Sequence, residues 1–239
     1  MPLTSYIQKI LKSRKQFGIL FFTILTIDIL VKECCPVFPY RYISKPPVLL
    51  LLILYYYSNQ SEVKRSDYLW TVISLVCFFM GDILIINHMN VIFLSVSLLL
   101  FTFGKLFLSF RFSHKSDFKV TRLIPFSIIM FIYTVGLVSF LYDGLKNFFV
   151  PVIISYFISL LLFQFTFLRK DVVDKASYLN VFFGVIIYMM SEGIMVIKTF
   201  KTDVPLQGTL IMLFYGTGLY LIVSGILLEK KIKKVVSPF

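Results

Sequence analysis

The chain has 239 residues, is 58% hydrophobic and 18% aromatic, and has a mean hydropathy of +0.87. Only 15% of its residues are charged, where a soluble domain of this size carries about 25%, so an ordinary soluble fold is excluded. The formal net charge of +12 does not point to nucleic acid, because the positive residues gather at the ends of apolar blocks, where they serve topology and lipid headgroups.

Residues 1–16 form a basic N-terminal segment with Lys9, Lys12, Arg14 and Lys15. The apolar stretch from Phe17 has no small-residue cleavage site after it, so it reads as a first spanning helix rather than a cleavable signal. In chain order the apolar segments lie at roughly 17–33, 46–58, 69–87, 91–110, 122–142, 148–168, 178–198 and 208–228. Blocks of about 20 residues match a hydrocarbon core of about 30 Å, and backbone groups in lipid must be satisfied internally, which makes each block a helix. The second block is short, but Tyr55, Tyr56 and Tyr57 at its end suit an interfacial belt. The expected organisation is all-α and polytopic: eight transmembrane helices in a single membrane domain over 17–228, followed by a basic tail at 229–239. Seventeen of the 24 Lys and Arg residues fall on one side of this layout, six on the other, and Lys105 inside the fourth block. Both termini are therefore expected in the cytoplasm, with the protein multi-pass in a cell membrane.

The two halves resemble each other. "MGDILI" (80–85) is followed by Gly104, and "MSEGIMVI" (190–197) by Gly216; Pro47-Val48 and Pro151-Val152 precede them. These matches are consistent with a four-plus-four duplication in one orientation.

Away from the block ends, four charged residues lie inside the apolar blocks: Asp28, Asp82, Lys105 and Glu192. A charge at the bilayer centre costs about 2.5–3.5 kcal/mol on insertion scales, so such groups face a protein interior or a wet cavity. At about 1.5 Å per residue the three carboxylates lie at similar depth in the outer half of the membrane, and Lys105 lies about 10 Å nearer the cytoplasm. Each has a plainer reading. Asp28 can pair with Lys32 one turn away, Asp82 can sit near the headgroups, and Lys105 can extend toward the cytoplasm beside Arg111. Ser155, Tyr156, Gln164 and Ser191 fit ordinary interhelical hydrogen bonding. Two carboxylates in a dry site can divide the roles of acid and base, which suits hydrolysis through an oxocarbenium-like intermediate and equally suits proton-coupled transport.

Other chemistries lack their signatures. There is no G-x-S-x-G elbow and no phosphate-binding glycine loop, since Leu99 stands where the first glycine belongs and no Ser or Thr follows Lys105. Cys34, Cys35 and Cys77 have no metal spacing, and His88 and His114 are 26 residues apart, so neither a metal nor another cofactor is expected.

The order of these motifs resembles the YhhN-like family of membrane proteins, which includes lysoplasmalogenases. "SKPPVLLLL" (44–52) resembles its Lys-Pro motif on helix 2, with Lys45 and Pro46; "FFMGDILI" (78–85) its Gly-Asp motif on helix 3; and "VPVIISY" (150–156) its Pro-Val-x-x-x-Tyr motif on helix 6. "GVIIYMMSEGIMVIKTF" (184–200) is similar to the Ser-Asp motif on helix 7, and "FYGTGL" (214–219) to the Tyr motif on the last helix. The resemblance implies a membrane hydrolase that cleaves the vinyl ether bond of a lysoplasmalogen. Asp82 and Glu192 would be catalytic, and Lys45, Lys105, Tyr156, Ser191, Tyr215 and Asp28 would bind substrate or support them. The implied partners are a lysolipid substrate and membrane lipids. Three departures stand out: Glu192 for the family's Asp, Gly104-Lys105 for its Ala-His, and Leu219 for its Gln. They motivate a non-catalytic lipid- or partner-binding member of the same fold, beside the small proton-coupled transporter, as alternatives.

Overall fold

The computed structural model describes residues 3–62, 64–113, 120–145, 148–170 and 172–229. These fold into nine α-helices: α1 (Leu3–Lys12), α2 (Arg14–Cys34), α3 (Tyr40–Asn59), α4 (Arg65–Leu84), α5 (Val91–Phe112), α6 (Val120–Leu145), α7 (Phe149–Leu168), α8 (Lys175–Phe200) and α9 (Gln207–Leu227). Helices α2 to α9 are the eight apolar segments of the sequence. The basic N-terminal segment holds an additional helix, α1, whose Leu11 is buried and whose Leu11 carbonyl accepts from Asn59 Nδ2 at 2.8 Å. The basic tail expected at 229–239 lies outside the described residues from 230 onward.

One boundary differs by six residues. The apolar pattern starts the second block at Pro46, but α3 begins at Tyr40 and carries Pro46 and Pro47 inside it. Arg41 and Lys45 lie one turn apart on its buried face, so the polar first turns belong to the helix because they meet acids in the interior. Composition cannot register that gain.

Six helical stretches are long and apolar enough to cross a membrane: Arg65–Asn87, Val91–Phe112, Leu123–Leu145, Phe149–Leu168, Lys175–Phe200 and Gln207–Leu227. Helices α2 and α3 fall outside this set. Helix α2 carries Arg14, Lys15, Asp28, Lys32 and Glu33, and α3 carries Arg41, Lys45 and a tyrosine-rich end. The architecture is that of an all-helical, multi-pass membrane protein.

Two antiparallel seams organise the bundle. On α8 the small residues Ser177, Gly184 and Ser191 recur every seventh position, facing Gly225, Gly218 and Ile211 on α9. Ser177 Oγ donates to the Gly225 carbonyl at 2.7 Å and Ser191 Oγ to the Ile211 carbonyl at 2.9 Å. Between them the backbones touch: a Cβ at Gly218 would fall 2.8 Å from the Tyr188 backbone nitrogen and 2.9 Å from the Gly184 carbonyl oxygen. The α4–α5 seam repeats this plan with Ser74, whose Oγ donates to the Gly104 carbonyl at 2.7 Å. Small residues let membrane helices approach this closely, and their hydroxyls add interhelical bonds. A seven-residue period keeps the stripe facing its partner along the whole pair.

The seams meet at four aromatic rings. Phe78 lies against Phe101 (6.3 Å between centroids) and Tyr188 (5.7 Å), and Tyr215 lies against Phe101 (6.2 Å) and Tyr188 (5.9 Å). At the end of the bundle where α2 begins, a buried ion network ties the helices together. Arg111 contacts Glu62 at 2.8 Å and Glu229 at 3.0 Å; Arg169 contacts the same Glu229 oxygen at 3.0 Å and lies over the Phe112 ring. The opposite end is left for a cavity.

Because Gly218 has no room for a side chain, Gly218→Val is expected to destabilise the detergent-purified protein by about 1–3 kcal/mol through overpacking. Gly136→Val, whose Cβ meets nothing within 4 Å, is the matched control and should leave the thermal unfolding midpoint unchanged.

Candidate functional site

Each carboxylate sits one residue past a seam position, Asp82 after Gly81 on α4 and Glu192 after Ser191 on α8. The seams therefore aim both acids at the space between the two helix pairs. There they line a single cavity of about 190 Å³, together with Lys45, Tyr188, Ser191 and Tyr215. Ile85, Leu94, Leu98, Met195 and Met212 supply an apolar wall. The cavity opens at the end opposite the Arg111 network, where the lining residues Val37, His88 and Thr199 are exposed.

Asp82 is buried and takes one partner on each oxygen: Lys45 Nζ lies 3.0 Å from Oδ1, and Tyr215 Oη donates to Oδ2 at 2.9 Å. Glu192 is held in the same way. Lys105 Nζ donates to Oε1 at 2.7 Å and Ser159 Oγ to Oε2 at 2.8 Å. Each acid thus has one ammonium and at least one hydroxyl, from crossed sources, and Tyr188 also bonds Glu192. Asp82 draws its lysine from α3 and its hydroxyl from α9; Glu192 draws its lysine from α5 and its hydroxyl from α7.

Lys105 does not extend toward the cytoplasm. Its ammonium turns to Glu192 and also donates to Ser155 Oγ at 2.7 Å, Ser159 Oγ at 2.8 Å and the Ser155 carbonyl at 3.1 Å. The side chain spans the depth difference that the sequence places between this lysine and the acids, while Arg111 serves the network at the far end. Four acceptors around one buried ammonium explain why a cation is tolerated here.

Glu192 also borders a second, smaller cavity of about 10 Å³, lined by Lys105, Ser155 and Tyr156 among others. That is the room of about one water molecule. The Tyr156 hydroxyl is buried and has no hydrogen-bond partner among the described residues.

Of the sequence candidates, Lys105 and Tyr156 line only the smaller cavity, and neither cavity is lined by Asp28. It is fully buried behind the cavity wall, where Arg41 Nη1 and Ser44 Oγ both donate to its Oδ1 at 2.6 Å. These partners on α3 replace the pair with Lys32 that its helix spacing suggests, and Lys32 instead donates to the Gly208 carbonyl at 2.8 Å. Sequence reasoning missed the basic mouth. Lys32, Arg41 and Lys198 all line the cavity, but they sit near segment ends, where a positive charge reads as topology. The helical spacing of Arg41 with Lys45, and of Ser155 with Ser159, is the signal that each pair shares a face.

Removing one member of a buried ion pair leaves an uncompensated charge. Lys105→Met is therefore expected to cost about 3–5 kcal/mol, read as a lower unfolding midpoint, and Lys105→Met with Glu192→Gln should recover much of it.

The family model described as the YhhN family matches residues 40–226 of the chain. No curated protein and no solved structure matches it.

Proposed function

The chain belongs to the YhhN family, and from that premise we propose that it is a membrane hydrolase cleaving the vinyl ether bond of a lysoplasmalogen-like lysolipid. The observation that carries this reading is the single cavity bearing Asp82 and Glu192 between an apolar wall and a basic mouth. Apolar wall, polar floor and charged rim match a single-chain lipid with a polar head, and a cleft with a few convergent polar groups is the usual form of a small-molecule site.

The two cavities divide the chemistry. Glu192 alone of the two acids borders the one-water cavity beside Tyr156, so it takes the role of base. The cluster of Lys45, Asp82 and Tyr215 supplies the proton. Protonation of the vinyl carbon farther from the ether oxygen converts the ether to an oxocarbenium; water adds to the oxygen-bearing carbon as Glu192 accepts the water proton. The resulting hemiacetal collapses to a fatty aldehyde and a glycerophospho-alcohol: the proton on Glu192 passes to the leaving oxygen, and the hemiacetal hydroxyl returns its proton to the Asp82 cluster. One water is consumed and no other reactant is needed. Acid and base contributions of this kind are worth about 10²–10⁴-fold each.

In this reading α2 and α3 also cross the membrane, giving eight spans with both termini in the cytoplasm. It is supported by the buried pairing of their charges with Asp28 and Asp82, which removes the cost that their composition implies, and by the asymmetry of Lys and Arg. The like construction of the two seams and the crossed partners of the two acids favour a four-plus-four duplication, with Gly218, rather than the Gly216 of the sequence match, in the seam position of Gly104.

The presence of a lysine on each acid favours a second reading, a family member that binds lysolipid without turning it over. Aldehyde release from lysoplasmalogen by the purified protein separates the two. Turnover is expected, with Asp82→Asn and Glu192→Gln each lowering it by at least about 10². A parent without turnover, or both variants with full activity, would refute the hydrolase; lysolipid retained without product in native mass spectrometry would establish the binding protein.

A further inference from the structure

The cavity wall is not neutral. It carries Lys32, Arg41, Lys45 and Lys198 against Asp82 and Glu192. Immediately behind it, Asp28 on Arg41 and Lys105 on Glu192 cancel each other. The formal balance is two positive charges in excess. Glu33, the nearest further acid on α2, turns away to Thr209 at 3.3 Å and does not line the cavity.

The excess sits at the mouth. Arg41, Lys45 and Lys198 each act electrostatically on Lys32, and so does Glu33. Arg41 is 94% buried; it spends Nη1 on Asp28 and leaves Nη2 facing only the Met212 sulfur at 3.8 Å. Lys198 is half-buried and has no acid partner among the described residues. A guanidinium edge with no oxygen on it, beside two ammonium groups, is the donor set that takes a tetrahedral oxyanion. Low-dielectric walls strengthen that preference.

We propose that the cavity mouth is a phosphate subsite with an excess of positive charge, formed by Arg41, Lys198 and Lys32. It selects a lysolipid whose headgroup is a phosphomonoester over one whose phosphate carries choline or ethanolamine. A phosphomonoester brings about −1.5 to −2 charges near neutral pH, which neutralises the mouth. A zwitterionic headgroup leaves the excess in place, and the acids that line the cavity, Asp82 and Glu192, are already held by Lys45 and Lys105. Position agrees with charge. Arg41 lies one helical turn, about 6 Å, from Lys45, and Lys198 lies six residues, about 9 Å, from Glu192. Those spans suit a glycerol backbone with its phosphate at the mouth and its first oxygen between the acids.

This inference names the headgroup for the site proposed above and rests on that reading only for the identity of the chain. Its test uses a saturated ether that cannot undergo vinyl ether cleavage, so binding is read without turnover. The full-length protein in nanodiscs is titrated with 1-O-hexadecyl-glycerol 3-phosphate, with its phosphocholine counterpart and with glycerol 3-phosphate. The phosphomonoester lipid is expected to bind at least about tenfold tighter than the phosphocholine lipid, a gap of one charge-assisted contact. Lys198→Gln should shrink that gap to about threefold or less, and Lys198→Arg should preserve it. Equal affinity for the two lipids, or a gap untouched by Lys198→Gln, overturns the subsite even if lysoplasmalogen is hydrolysed. Glycerol 3-phosphate binding as tightly as the lipid overturns the lipid assignment and makes this a site for a soluble phosphate ester. Selective, Lys198-dependent lipid binding upholds the subsite even if no aldehyde is ever released.

Discussion

Everything at the cavity depends on two helix seams in which small residues let the paired helices approach closely. Where Gly218 meets Gly184 the backbones touch, and where Ser74 bonds the Gly104 carbonyl the Phe78 ring packs against the bare glycine, so each antiparallel pair is held close. The acids follow directly on seam positions, which fixes their azimuth around the helix and turns both into the same space. A seam of larger residues would still pack, but with the helices farther apart and rotated, and the two carboxylates would no longer share a cavity.

The second constraint is electrostatic. Lipid and a dry interior both disfavour lone charges, and here the buried acids of the membrane interior come with their own cations: Asp28 with Arg41, Asp82 with Lys45, Glu192 with Lys105. These pairs do more than neutralise. Each crosses between helices, so α3 is stitched to α2 and α4, and α5 is stitched to α8. The crossing sources of Asp82 and Glu192 give the two acids equivalent partners with lysine and hydroxyl exchanged, on a frame whose four central rings are arranged in the same reciprocal manner. A near-symmetric frame with unlike polar groups is well suited to giving two similar acids different tasks. Glu192 has the one-water cavity at its back, and Asp82 has Tyr215.

The three departures from the family pattern acquire physical content in this setting. Lys105 is the ion-pair partner of Glu192 rather than a free cation, and Glu192 is one methylene longer than the family's aspartate, which helps the pair close at 2.7 Å. Leu219 follows Gly218 on its seam as Lys105 follows Gly104, and it is buried in the apolar core. One seam thus carries a cation beside its glycine and the other an aliphatic residue.

The sequence by itself determined the helical class, the eight apolar segments and the residues worth watching. Their causes are local: block length against bilayer thickness, and the rarity of charge within those blocks. It also held Asp28, Asp82, Lys105, Glu192, Tyr156 and Ser191 as candidates, because a polar residue in an apolar run stands out without any knowledge of its neighbours; Lys45 and Tyr215 entered only through the family resemblance. What the tertiary structure decided is who meets whom. The Lys105–Glu192 pair is 87 residues apart in the chain, and the Tyr215–Asp82 bond spans 133, so no periodicity links them. Depth counted along single helices placed Lys105 away from the acids because it ignored the reach of a lysine side chain. Arg41, Lys32 and Lys198 were read as topology signals because a positive charge near a segment end has that bland explanation; only the folded arrangement turns three such charges inward to one mouth.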